Sequence, residues 1–362
     1  MRATSPSLHP NLPFGPFLGP RTYRDATTIR RIRHVALLAA SAIRQLGEAD
    51  PRRRYRIAMK LGFFALCHPI ATARWLGYVH SALKPLAAAH PRLLDKPCRP
   101  YLDSRWSPSE RVDALIAHYR WAAHMLKPDA LSSLYGSGGT CLGNIALRVP
   151  GCNASLWLSA SREQVREGEL SLTLRTGIAE TPGHDAAPSS CALVATLSFA
   201  ILPDTSGEPC LSIGCVQAAP AMTLSDIKAL TKNMNGLRPK SLLIWAAQIC
   251  AQAWQVQLRG IAPAAHPLAH WRYRWSPVKR KGAQHIRESY DALWQDSGAA
   301  PACGGDASSW VSLPVETRTK GRDDVPTGKR ALYERRGLML QQLRDAMQGS
   351  LASMGMEPRP HP

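Results

Sequence analysis

The sequence predicts an α+β fold: an N-terminal helical region, then an antiparallel sheet with packed helices. Apolar residues recur at helical spacing up to about residue 128, at a spacing of two between Glu169 and Cys215, and at helical spacing again beyond Thr223. No stretch repeats another. Helices, then strands, then mixed elements is the order of an α+β chain rather than of alternating βαβ units. At 362 residues, beyond the roughly 100–200 usual for one domain, the chain can bury a large core without disulfide or metal staples.

Each element has its own signal. Residues 1–33 are rich in Pro, Arg and Ser and read as a disordered basic arm. A helical region, 34–128, begins near Val35-Ala36-Leu37-Leu38 and resumes after Arg52-Arg53-Arg54, with a break at Pro69. A further helix starts at Ser107, with Pro108 in its first turn and Glu110 completing a capping box; its apolar face is Val112, Leu115, Ile116, Tyr119 and Leu126. The α+β core, 129–350, follows. Leu170, Leu172 and Leu174 alternate with polar residues, then Leu193 to Ile201, then Leu211 and Ile213, as a meander with one buried face. Thr223 with Asp226 opens a helix that Asn235-Gly236 closes, and Pro239 opens the next, to about Ala253. Val256 to Gly260 and Trp310 to Val315 read as strands, with a basic aromatic loop and a short helix through Tyr290 and Trp294 between them. A last helix runs from about Lys329 to Met347, and residues 351–362 read as a disordered tail.

The net charge of +19 favours anionic partners: nucleic acid, acidic lipid headgroups, nucleotides or phosphate-bearing ligands. Arginine supplies most of the excess, and its fork pairs with phosphate and carboxylate; free use of arginine on solvated faces gives the same balance. The nine cysteines show no CxxC pair, and Cys67 and Cys250 sit in apolar runs. That pattern predicts reduced thiols in a cytoplasmic protein and no metal. The apolar stretch from Ile57 to Ala71 is interrupted by Lys60, His68 and Pro69, short of the roughly 20 apolar residues a transmembrane helix needs. No transmembrane segment is expected.

Several clusters are candidates for chemistry. Arg238 and Lys240 flank Pro239 at a helix start just after Gly236, where free N–H groups and two cations suit a phosphate; a plain solvated turn is the alternative. His266 and His270 are four apart, but Pro267 argues for a loop and no Glu lies between them as the zinc-protease pattern requires. Trp271-Arg272-Tyr273-Arg274-Trp275, followed by Lys279-Arg280-Lys281, interleaves cations with aromatics. It suits stacked bases, a membrane interface, or arginines packed over core rings. Gly136-Ser137-Gly138-Gly139-Thr140 lacks the Gly-Lys-Ser/Thr ending of a phosphate loop. Glu167 and Glu169 form a carboxylate pair suited to proton transfer or merely to a hairpin entry.

From about Arg99 onward the chain resembles the VirK/YbjX family of bacterial proteins. The resemblance rests on an ordered set of landmarks: Arg99-Pro100-Tyr101-Leu102, Trp106, Arg111, His118-Tyr119, Glu167-Gly168-Glu169-Leu170, Ile213-Gly214-Cys215-Val216-Gln217, Leu230-Thr231-Lys232 with Gly236-Leu237-Arg238-Pro239-Lys240, Tyr290-Asp291 with Trp294, Leu313-Pro314, and Lys329-Arg330-Ala331 with Tyr333. Ala218 stands where the family has glycine, and the basic arm is particular to this chain. The resemblance implies a role in envelope stress, virulence or antimicrobial-peptide tolerance, and carries no catalytic residues. In layout the second half is similar to GNAT-type acyltransferases, in which the turn before a helix binds the coenzyme A pyrophosphate. That similarity would put Gly236, Arg238 and Lys240 at coenzyme A, with Lys232, Gln217, His270, Tyr290 and Trp294 as further pocket or surface residues. Two departures are Arg238, where a small residue is preferred, and the intervening helix 224–234. Three readings therefore stand: an adaptor or regulator that engages an anionic partner, an acyltransferase-like enzyme, and a nucleic-acid-binding regulator.

Overall fold

The computed structural model describes residues 51–149, 152–162, 164–178, 192–273, 275–299, 309–317 and 325–355. The basic arm and the helical signal at Val35–Leu38 lie outside these residues. Helices α1 (Pro51–Cys67), α2 (Pro69–Ala82) and α3 (Lys84–Ala89) come first, with Pro69 in the first turn of α2. Helix α4 (Pro108–Met125) has the expected capping box: Glu110 N–H donates to the Ser107 hydroxyl, and the Glu110 carboxylate accepts from Ser107 N–H at 2.7 Å. A short α5 (Pro128–Ser132) leads into the sheet.

The described strands form one sheet in the order β1 (Thr140–Ala146), β2 (Cys152–Ala160), β3 (Leu170–Ile178), β4 (Ala192–Pro203), β5 (Pro209–Ala218), β6 (Gln257–Ile261) and β7 (Trp310–Leu313). Neighbours run antiparallel except β5 and β6, which are parallel. The α+β class is thus as expected. β1 and β2 are additions to it: Asn144, Asn153, Ser155 and Ser159 interrupt their apolar alternation, and helix α9 (Arg330–Met354) covers β1. Every residue of β4 from Val194 to Leu202 is buried, so this strand is covered on both faces rather than one.

Between β5 and β6 lie α6 (Leu224–Asn233) and α7 (Pro239–Ala253). Thr223 and Asp226 form the N-terminal box of α6, and Asn235 and Gly236, with φ of +54° and +76°, end it. Apolar α7 packs against β3, β4 and β5. Helix α8 (Pro277–Asp296) follows β6 and is longer than expected, because Pro277 opens it directly after the aromatic loop and Lys281 and His285 fall within it. Helix α9 also exceeds its expected end: Leu351 and Met354 are buried, so the chain stays packed past the predicted tail boundary at 351, and 356–362 lie outside the described residues. Buried residues from Ile57 to Met354 join in one core.

Candidate functional site

Arginines converge where the helical region meets the sheet. The inner face of α1, with Ile57, Leu61 and Phe64, is buried, which leaves Lys60 and Phe63 at its edge. The capping box fixes the start of α4, so Arg111 projects from its first full turn while remaining buried. Leu102 N–H donates to the Arg166 carbonyl at 2.7 Å, tying the segment after Arg99 to the loop between β2 and β3. Glu169 N–H donates to the Phe199 carbonyl at 2.9 Å. A Cβ on Gly214, the extra residue of a bulge in β5, would sit 2.1 Å from the Glu167 carbonyl. Only glycine there lets the Arg166–Glu169 loop press onto the sheet.

These elements enclose a cavity of about 520 Å³ lined by Lys60, Arg99, Arg111, Arg166 and Arg272, with Phe63, Tyr273 and Pro108 among its apolar walls. Among the described residues no carboxylate lines it. Lys60 and Arg99 share the buried Asp95 carboxylate behind the wall. Arg111, Arg166 and Arg272 have no carboxylate in salt-bridge range among the described residues. Arg166 lies 5.2 Å from the centre of the Tyr273 ring. The Nε atoms of Arg99 and Arg111 and Nη1 of Arg166 are buried without a hydrogen-bond partner there. Burial, and then the charge of Arg272, hold Arg111 below its ordinary pKa. Such a set can do one thing well: compensate several negative charges of a ligand with forked donors.

A second polar centre lies in a cavity of about 220 Å³. Lys96 Nζ sits 2.5 Å from the buried Glu169 carboxylate, which also accepts from the Tyr119 hydroxyl at 2.5 Å. His118 Nδ1 accepts from Ile201 N–H at 3.1 Å, so its Nε2 carries the proton facing the Tyr135 hydroxyl at 2.7 Å. Burial pushes the His118 pKa down to about 4. Through His118 this network ties α4 to β4.

The predicted site residues fall in three places. His270 belongs beside the basic cavity: burial, then Arg111 and Arg272, lower its pKa. Lys240 and Tyr290 meet at Cys215, a buried thiol that burial, then Glu167, push up to about 12. The Tyr290 hydroxyl accepts from Val216 N–H at 2.8 Å, and Trp294 Nε1 donates to the Ile261 carbonyl at 3.0 Å. Gly236 sits against α9, where Arg336 donates to the Asn235 carbonyl at 2.9 Å. Arg238 is 76% exposed and lies 4.0 Å from Asp296; Lys232 and Gln217 are exposed elsewhere. None of Gly236, Arg238 or Lys240 lines either of these two cavities. Glu167 and Glu169 do not act as a pair: burial raises the pKa of Glu167 near Arg166, while Glu169 joins Lys96 and Tyr119. Among the described residues no group of three His, Cys, Asp or Glu could hold a metal, and no helix is long and apolar enough to cross a membrane.

Sequence reasoning missed Lys60 and Arg166 as site residues. Each is one arginine or lysine among 45, and only the fold brings them to Arg111 and Arg272. The sole local sign was Lys60 interrupting an apolar run.

Comparison with known proteins agrees with the landmarks. The family model described as "Protein of unknown function (DUF535)" matches residues 51–349. The chain is 26% identical over 338 residues to "Uncharacterized protein YbjX" of Escherichia coli (strain K12), covering 92% of this chain and 93% of that one. It is 25% identical over 244 residues to an "Uncharacterized protein" of Haemophilus influenzae, covering 67% of this chain and 72% of that one. No solved structure matches it.

Proposed function

For this chain, which belongs to the DUF535 (VirK/YbjX) family, we propose that its function is to bind a phosphate-bearing anionic ligand in the cavity between α1, α4 and the Arg272 loop. The observation that carries this is that, among the described residues, no carboxylate lines the cavity formed by Lys60, Arg99, Arg111, Arg166 and Arg272. Arg111 is buried with no carboxylate in salt-bridge range among the described residues, and an unpaired buried charge destabilises a fold; a ligand that reaches Arg111, the half-buried Arg166 and the exposed Arg272 would supply that charge. In this reading the protein works in the bacterial cytoplasm, and binding serves envelope stress, virulence or antimicrobial-peptide tolerance as the family resemblance implies. Calorimetric titration with inorganic pyrophosphate tests it. Wild type binds, and Arg111→Met with Arg166→Met weakens binding by about 10–100-fold, the worth of one or two charge-assisted hydrogen bonds. Equal binding by both proteins, or none by wild type, overturns it.

A second reading, acyl transfer from coenzyme A, is favoured by one feature. Parallel β5 and β6 pair from Cys210↔Gln257 to Ile213↔Gly260 and no further, although β5 continues to Ala218. Past that point Val216 N–H is taken by Tyr290 instead of by β6. Strands that part in this way are the layout such an enzyme uses, although Tyr290 fills the gap beside β5 here. Calorimetry with coenzyme A, comparing Arg238→Ala with Lys240→Ala against Arg111→Met with Arg166→Met, tests it.

A further inference from the structure

Two apolar surfaces flank the mouth of the basic cavity. On α1, Tyr55, Met59, Phe63 and Leu66 are exposed at spacings of four, four and three, the repeat of one helical face, and Ile70 is exposed at the start of α2. Leu66 is 84% exposed. Across the cavity, Trp271, Trp275 and Val278 are exposed around the segment that supplies Arg272, Tyr273 and Ser276 to the lining, and Trp275 is 87% exposed. Phe63 belongs to both the stripe and the cavity wall. Exposed apolar side chains scattered singly need no explanation, but two aligned groups beside one charged cavity do.

We propose that this face is a docking surface for an anionic lipid bilayer, with a lipid phosphate entering the basic cavity and the α1 stripe and Trp271–Val278 entering the headgroup layer. The proposal rests on the anion-binding reading above and names the source of the anion. Charge complementarity selects the occupant. A second copy of the chain docked face to face would set Lys60, Arg99, Arg111, Arg166 and Arg272 against themselves, and like charges there oppose association. A nucleic acid would satisfy the cations and stack on Trp271 and Trp275, but it offers nothing to the aliphatic Met59, Leu66, Ile70 and Val278. A bilayer satisfies both kinds of residue: its phosphates meet the arginines, tryptophan favours the interface, and the acyl boundary takes the aliphatic chains. Membrane attachment without a spanning helix needs two such signals together, an apolar face and a basic patch.

The test is co-sedimentation of the full chain with vesicles of phosphatidylcholine alone and of phosphatidylcholine with phosphatidylglycerol, beside the pyrophosphate titration. Wild type is expected to bind the anionic vesicles and leave the neutral ones. Trp271→Ala with Trp275→Ala is expected to lose vesicle binding by at least about tenfold while pyrophosphate binding stays. Both side chains are exposed, so the variant folds; Leu66→Asp on the opposite stripe gives the same answer independently. Pyrophosphate binding without vesicle binding overturns the bilayer proposal and leaves the anion site standing, whereas loss of pyrophosphate binding itself removes both. Vesicle binding that survives the tryptophan and Leu66 substitutions overturns the proposal, as does a wild-type dimer that these substitutions convert to monomer. Tighter binding of an oligonucleotide than of vesicles, with the same tryptophan dependence, would also overturn it.

Discussion

Arg111 and Arg272 stand close enough that the charge of one opposes the charge of the other, and neither has a carboxylate in salt-bridge range among the described residues. A fold keeps such a pair at a cost. Arg111→Met removes one charge and keeps the length of the stem, so without ligand its stability is expected to match or slightly exceed that of wild type, by up to about 1 kcal/mol. Pyrophosphate at about a hundred times its Kd should stabilise wild type by roughly 2.7 kcal/mol and the variant by much less. Thermal unfolding with and without pyrophosphate measures both. An Arg111→Met protein much less stable than wild type in plain buffer would mean that the guanidinium is a structural strut.

The buried histidines predict how stability depends on pH. His118 has its pKa pushed down to about 4 and His266 to about 3, in both cases mainly by burial, against an unfolded value of 6.5. Between those values the unfolded chain holds protons that the native chain refuses, so stability rises with pH. The contribution is complete above about pH 6.5 and falls away as pH drops through the native values, by on the order of 3 kcal/mol for His118. Urea unfolding at pH 7 and pH 5 should show the loss, with midpoints lower at pH 5. His118→Gln should reduce the difference by about half and leave the rest to His266. Identical pH dependence in wild type and variant would count against this assignment.

The Tyr290 hydroxyl is the partner of Val216 N–H where β5 leaves β6. Tyr290→Phe keeps the ring against Trp294 and His266 but leaves a buried backbone donor unpaired, at a cost of about 1–3 kcal/mol. Hydrogen exchange should locate the damage: the Val216 amide is expected to lose protection while the β3–β4 ladder keeps its own. Unchanged stability would mean that water or a shifted strand takes over the bond.

The sequence made local features legible and convergent ones not. The Ser107–Glu110 and Thr223–Asp226 boxes, the Asn235-Gly236 stop and the Pro239 start stand where expected, because capping involves residues within four positions of one another. β1 and β2 escaped notice because Asn144, Asn153 and Ser155 blur their period, and their place in the sheet comes from pairing with β3 and cover from α9. The basic cavity was illegible for a different reason. Lys60, Arg111, Arg166 and Arg272 are separated by more than two hundred residues in all, and nothing in their immediate neighbours distinguishes them from other cations. Of the interleaved Trp271–Trp275 motif, the sequence showed the composition but not which rings are outside: Tyr273 takes the Arg166 guanidinium, while Trp271 and Trp275 are exposed.

The Arg238–Lys240 turn separates the anion-binding and acyl-transfer readings. As an isolated motif it has the donors and the charge for a pyrophosphate. In the fold, Arg336 from α9 already bonds the Asn235 carbonyl beside Gly236, Arg238 is exposed beside Asp296, and Lys240 turns partly inward toward Cys215, with burial lowering its pKa. Arg238→Ala is therefore expected to change stability by less than about 0.5 kcal/mol, as exposed single charges do. Lys240→Ala should cost more, through lost packing of its stem under β5. If the chain transfers acyl groups, coenzyme A binds wild type, and the double substitution weakens it by about tenfold or more while pyrophosphate still binds at Arg111 and Arg166. If the chain is an anion-binding protein alone, coenzyme A binds only through its phosphates in the basic cavity. Its affinity then follows Arg111→Met with Arg166→Met and ignores Arg238 and Lys240. Calorimetry with coenzyme A on these two double variants decides between the readings, because each one names a different pair of residues.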